Sequence, residues 1–165
     1  MRISSASRRA PSSARGMTVI ELIVVMLVVA ALALVATPQI TGVVVAQRLR
    51  SAGGDLVSAL YIARSEAIKR NVNVTVRPLA GDEWTSGWVA TADGGEQIDR
   101  RPAPGVRVAV TRAPDAIVYT PSGRLDPLGS VRVEFSDVER QAGVASRCVI
   151  VDTAGVPRVE ARDCA

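Results

Sequence analysis

The stretch Gly16-Met17-Thr18-Val19-Ile20-Glu21-Leu22-Ile23-Val24-Val25 opens the longest apolar run of the chain. Residues 17–36 are apolar or small throughout, except for Thr18 and Glu21. As a helix this run is about 30 Å long, the thickness of a bilayer core. An ionised carboxylate near the centre of such a helix costs roughly 2.5–3.5 kcal/mol, and less near the interface. Glu21, close to the start, therefore calls for a reason.

On the N-terminal side, residues 1–16 are rich in Ser, Ala and Arg and have no apolar periodicity. They hold Arg2, Arg8, Arg9 and Arg15 and no acid. Positive charge next to an apolar run is kept on the cytoplasmic side. The formal net charge of +4 comes from this leader, because from Met17 onward 16 basic residues balance 16 acids. A nucleic-acid footprint spread over the whole chain is therefore not indicated. Two readings of 17–36 stay open. One is a secretory signal peptide cut beyond the run, near Leu34-Val35-Ala36. The other is a retained membrane helix, favoured by the length of the run, since signal-peptide cores span about 7–15 residues.

Beyond Pro38 the pattern continues in another form. Leu49, Ala52, Leu56, Leu60, Ala63 and Ala67 recur every three or four positions, the apolar stripe of an amphipathic helix. Arg48, Arg50, Asp55, Arg64, Lys69 and Arg70 fall mostly off that stripe, and Glu66 stands four residues before Arg70. One helix is thus expected from the membrane to about Arg70, bent or loosened at Pro38, Gly42 and Gly53-Gly54 and stopped by Asn71. The period then becomes two. Strands are expected at 72–77, 84–91, 106–111, 117–120, 131–135, 147–151 and 156–161, separated by Gly, Pro and Asp clusters. With aromatics at 3%, Val, Ile, Leu and Ala are expected to fill the core. The fold class is α+β: a long N-terminal helix packed on a small antiparallel sheet or sandwich. The expected organisation is a leader at 1–16, a transmembrane helix at 17–36, an amphipathic helix at 37–71 and a β domain at 72–165.

The chain has no histidine, which removes histidine bases, Ser-His triads and imidazole metal ligands together. Ser122-Gly123 and Gly94-Gly95 read as turns, not as a nucleophile elbow or a phosphate loop. Asp93, Asp99, Asp126 and Asp137 fit no calcium loop of the EF-hand kind. No enzyme activity, cofactor or metal site is expected. Cys148 and Cys164, the two cysteines, enclose 15 residues. They make a poor zinc site, and a disulfide is the better reading if the β domain lies in an oxidising compartment.

Gly16 before the apolar run, Thr18-Val19-Ile20-Glu21-Leu22 just inside it and Pro38 downstream resemble the N-terminus of type IV pilins and type II secretion pseudopilins. Leu60 to Asn71, Gly87-Trp88-Val89, Tyr119-Thr120-Pro121-Ser122-Gly123-Arg124 and Arg147-Cys148-Val149-Ile150-Val151 resemble the GspH/FimT minor pilins and pseudopilins. The resemblance runs from Gly16 to Cys164 and departs from the family at Met17, where phenylalanine is usual. It implies that a prepilin peptidase cuts between Gly16 and Met17 on the cytoplasmic side and that the new amine of Met17 is methylated. It also implies filament assembly through Glu21, whose carboxylate meets the N-terminal amine of a neighbouring subunit.

The implied protein is a minor pseudopilin of a type II secretion system, with other pseudopilins or pilins as partners. It would be a single-pass inner-membrane protein, with its N-terminus cytoplasmic and its β domain periplasmic. A type IV minor pilin acting in pilus assembly or DNA uptake is the alternative, and a membrane-tethered β domain without a filament role is a third. In some FimT-type members a Gly-Arg-x-Arg motif near the C-terminus contacts DNA. Here the segment is Gly155-Val156-Pro157-Arg158, which keeps the glycine and the second arginine. Arg124, Arg147 and Arg162 are the candidates to compensate for the missing arginine, but Asp152, Glu160 and Asp163 sit among them. DNA is thus a weak expectation.

Overall fold

A helix, α1, runs from Val19 to Arg70, and nine strands follow it. The structure is a computed structural model that describes residues 17–165, with the side chains of 34–40 excepted. The expected leader and Gly16 lie outside the described residues, as do the side chains of 34–36 and Pro38. The chain divides into two units, residues 1–38 and 39–165.

In the first unit the described apolar side chains are exposed all round the helix, Val19 and Ile20 at 78% and 71% and Leu32 at 65%. A helix that is apolar on every side needs cover from outside itself. Among the described residues no helix is long and apolar enough to cross a membrane. The expected span at 17–36 runs on into side chains that lie outside the description.

In the second unit the helix is amphipathic. Leu49, Ala52, Leu56, Leu60, Ala63 and Ala67 are all buried, joined by Val45 and Ala59. The helix stays unbroken through Gly53 and Gly54. A Cβ on Gly53 would lie 3.0 Å from Val159 Cγ2, whereas one on Gly54 would meet nothing within 4 Å. Gly53 is therefore small because the last strand passes close to the helix there. Asn71 takes φ 57°, the left-handed residue that stops a helix and turns the chain away.

The strands are β1 (Val74–Pro78), β2 (Gly87–Ala92), β3 (Gln97–Pro102), β4 (Val108–Arg112), β5 (Ile117–Tyr119), β6 (Leu125–Asp126), β7 (Val131–Asp137), β8 (Arg147–Val151) and β9 (Pro157–Glu160). They form two antiparallel sheets, β3-β2-β1-β5-β6 and β4-β7-β8-β9. Two strands depart from expectation. Residues 97–102 lie between the expected strands 84–91 and 106–111, yet they pair along β2 from Gly87↔Pro102 to Ala90↔Asp99. Pro102 is tolerated because β3 is an edge strand and needs no outer donor. Leu125 and Asp126 lie between the expected strands 117–120 and 131–135 and pair with Tyr119 and Val118. A third expected strand begins late, because Trp84–Ser86 is a 3-10 turn and pairing starts at Gly87.

The apolar stripe of α1 meets Val74, Val76 and Tyr119 from the first sheet and Val133, Phe135, Val149 and Val151 from the second. Aliphatic residues are the more numerous in this core, as expected. Its largest buried side chains, however, are Trp84, Trp88, Tyr119 and Phe135. Trp88 links the sheets, with its ring centre 6.3 Å from Trp84 and 6.0 Å from Phe135, within the range of favourable tilted aromatic pairs.

Candidate functional site

At the head of the helix, Thr18 is followed three residues later by Glu21. Thr18 Oγ1 accepts the Glu21 amide N–H at 3.3 Å, and its carbonyl accepts the Leu22 N–H at 3.2 Å. Thr18 is therefore the N-terminal cap, and the Thr-x-x-Glu spacing is that of a capping box. A carboxylate in the first turn also offsets the positive end of the helix dipole. This local reason for a carboxylate at position 21 was legible in the sequence and was missed there. Glu21 is exposed and has no ion pair among the described residues. Met17 is 64% exposed, and Gly16, the other half of the expected cut, lies outside the description.

The C-terminal candidates separate into a covalent clasp, a buried turn and an exposed charge row. Cys148 and Cys164 form a disulfide with their Cα atoms 5.2 Å apart. Strand alternation puts Glu134, Cys148 and Glu160 in one row across β7, β8 and β9. The bridge folds the chain beyond β9 back over this row. The Cys164 amide donates to Glu134 Oε2 at 2.8 Å, and Cys148, Ile150 and Cys164 form a small apolar cluster of their own.

Gly155 and Arg158 are not brought together. Gly155 is buried in the β8–β9 turn at φ 78°. A Cβ there would lie 2.2 Å from the Gly123 carbonyl oxygen, so only glycine fits. Asp152 Oδ1 holds the same turn by accepting the Ala154 and Val156 amides at 3.0 and 2.9 Å. Arg158 is exposed on β9 and donates to Glu160 Oε1 at 3.1 Å, while Glu160 also receives Arg162. The two guanidiniums, Arg162 foremost, hold the Glu160 carboxyl below its ordinary range. The charge of Arg158 is thus partly offset, and Gly155 serves packing.

Arg64, placed on the solvated face by its periodicity, connects these turns. Its Nε donates to the Gly123 carbonyl at 2.9 Å and its Nη2 to the Ala154 carbonyl at 3.2 Å. One helix side chain thereby ties the β5–β6 and β8–β9 turns to α1. Beneath lies Tyr119, fully buried, its hydroxyl without a hydrogen-bond partner among the described residues. Burial pushes its phenol well above the ordinary value, against the pull of Arg64. Nothing local marks Arg64 for this role, since its acceptors lie 59 and 90 residues away.

A second clasp holds the β7–β8 loop. Asp137 is 4% exposed. It accepts the Gln141 and Glu139 amides at 3.0 and 3.3 Å and pairs with Arg107 at 3.0 Å. Burial pushes its carboxyl up, but the Gln141 amide, Arg107 and the Glu139 amide together hold it below the ordinary carboxylate value.

Among the described residues, no group of three or more His, Cys, Asp or Glu is placed to hold a metal ion.

The model of the family described as type II transport protein GspH matches residues 52–155. No curated protein matches the chain by sequence. Two crystal forms of the type IV minor pilin FimU from Pseudomonas aeruginosa (strain PAO1) share the fold. The first is 22% identical with a TM-score of 0.54, over 67% of this chain and 91% of that one. The second is 19% identical with a TM-score of 0.57, over 71% of this chain and 90% of that one.

Proposed function

We propose, from the premise that this chain belongs to the GspH family, that it is a minor pseudopilin of a type II secretion system. In this reading it is a structural subunit of a short periplasmic filament, with no catalytic role, anchored at the inner membrane by residues 17–36. The observation that carries the reading is the family match itself, which extends from the buried half of α1 to the β8–β9 turn. The exposed apolar helix adds support. Side chains such as Ile20, Leu27 and Leu32 are open to solvent in the isolated chain, and a bilayer or a bundle of like helices would cover them. Glu21 would then pair with the N-terminal amine of a neighbouring subunit, since a charge in an apolar setting is tolerated when partnered.

The likeness to FimU favours a second reading, a minor pilin of a type IV pilus. The two readings share the same processing, by a prepilin peptidase between Gly16 and Met17 followed by methylation of Met17. Arg158, paired with Glu160, gives no reason to add DNA as a partner. Mass spectrometry of the mature protein tests the shared part. A methylated Met17 terminus is expected, and a terminus near Thr37 would replace both readings with an ordinary signal peptide. Secretion and piliation assays on a deletion strain then separate the two: lost secretion with intact pili supports the first.

A further inference from the structure

Two clefts adjoin at one end of the β domain. The first, of about 340 Å³, is walled mainly by Ile117, Leu125, Pro127, Leu128 and Val131, with Asp126 as its one charged residue. The second, of about 290 Å³, is walled by Arg112 and Arg132. They share Pro114, Ser130 and Val131. No carboxylate lines the second cleft, and neither guanidinium has an ion pair or hydrogen bond among the described residues. On other strands Arg101 pairs with Asp99 and Arg158 with Glu160, while Arg77 and Arg100, like Arg112 and Arg132, have no ion pair among the described residues. The shared wall is held in place, because Trp84 Nε1 donates to the Pro114 carbonyl at 2.7 Å. Leu128, beside the apolar cleft, is 73% exposed.

We propose that the two clefts together form a docking site for an extended segment of a partner protein, one that carries an apolar side chain next to a carboxylate. The apolar cleft takes the side chain. The guanidinium pair takes the carboxylate, which an arginine fork meets with two parallel hydrogen bonds. The backbone supports a peptide as the occupant. β6, whose two residues both line the apolar cleft, is the last strand of its sheet and among the described residues pairs only with β5. Its outer edge is open to an added strand. Nucleic acid fits less well, because neither cleft offers an aromatic face for a base to stack on. This site does not depend on whether the filament is a pseudopilus or a pilus, nor on the N-terminal processing.

The test uses the full chain in detergent micelles and a short fluorescent peptide with a leucine next to a glutamate. The expected result is saturable binding that weakens about ten-fold or more when the glutamate is replaced by glutamine, or the leucine by alanine. Arg112→Ala with Arg132→Ala, both exposed positions, should abolish binding while leaving the melting temperature unchanged. Leu128→Ala should weaken it. Equal binding of the glutamine peptide, or unaltered binding by the double variant, overturns the proposal. So does binding of duplex DNA or phosphatidylglycerol vesicles, lost in the double variant, where the peptide fails to bind.

Discussion

Arg64 Nε donates to the Gly123 carbonyl oxygen at 2.9 Å, and the Gly155 turn closes on that same carbonyl. A Cβ on Gly155 would lie 2.2 Å from this oxygen, and the residue sits at φ 78°. Gly155→Ala therefore meets a backbone clash and a strained dihedral together. The expected loss is about 2–4 kcal/mol, since either effect alone costs of order 1–3. Thermal melting of the full chain in detergent checks it, and a change within 0.5 kcal/mol, the ordinary surface range, would contradict this account of the turn.

The neighbouring glycines of α1 should respond in opposite directions. Gly54 faces open space, so Gly54→Ala should stabilise by about 0.5–1 kcal/mol through helix propensity. Gly53 already lies where a Cβ would come within 3.0 Å of Val159. Gly53→Leu should cost about 1–3 kcal/mol by overpacking. Chemical denaturation of the two variants side by side decides the matter.

Reducing the Cys148–Cys164 bridge should lower the melting temperature by several degrees. Its ends are 16 positions apart, and closing a loop of this size contributes about 3 kcal/mol in the chain-entropy model. The Cys164 amide should also gain hydrogen-exchange rate, because its bond to Glu134 depends on the tail staying over the sheet. An unchanged melt in reductant would mean the tail is held by other means.

Stability should fall with acid, in part through Asp137. Its folded carboxyl lies below the ordinary value, so its contribution is complete above the unfolded value of about 3.9 and is lost as pH falls through the folded one. Glu66 is lowered too, chiefly by its bond to Arg70, so Asp137→Asn should flatten this acid limb without removing it. At neutral pH the variant weakens the amide bonds and the Arg107 pair, at about 1–3 kcal/mol. Melts at a series of pH values read both effects, and an acid limb of unaltered slope would count against Asp137.

Glu21→Gln keeps a capping-box residue at the third helical position and removes only the charge. Processing at Met17 should therefore persist, while incorporation into a filament should drop about ten-fold or more, as expected for a lost charge pair in an apolar setting. Thr18→Ala offers the contrast. It removes the cap, worth about 1 kcal/mol, and leaves the carboxylate. Sheared-filament assays with mass spectrometry of the terminus compare the two, and normal incorporation of Glu21→Gln would end the assembly role of Glu21.

Local pattern alone determined much of this protein. The stripe from Leu49 to Ala67, the stop at Asn71 and the strand at 147–151 follow from side-chain period and turn chemistry, which act between near neighbours. The Thr18–Glu21 cap is equally local. The pairing of Cys148 with Cys164 needed only that no other cysteine exists. Tertiary structure alone decided the rest. β3 and β6 escape a period-based reading because edge strands can end in proline or be two residues long. Arg64 looks solvated in sequence because its acceptors are carbonyls in distant turns. Gly155 looks like part of a binding motif because the oxygen that excludes a side chain belongs to Gly123. Arg112 and Arg132 share a cleft only once β4 pairs with β7. Such relations depend on which backbone atoms meet across the fold, and spacing along the chain does not encode that.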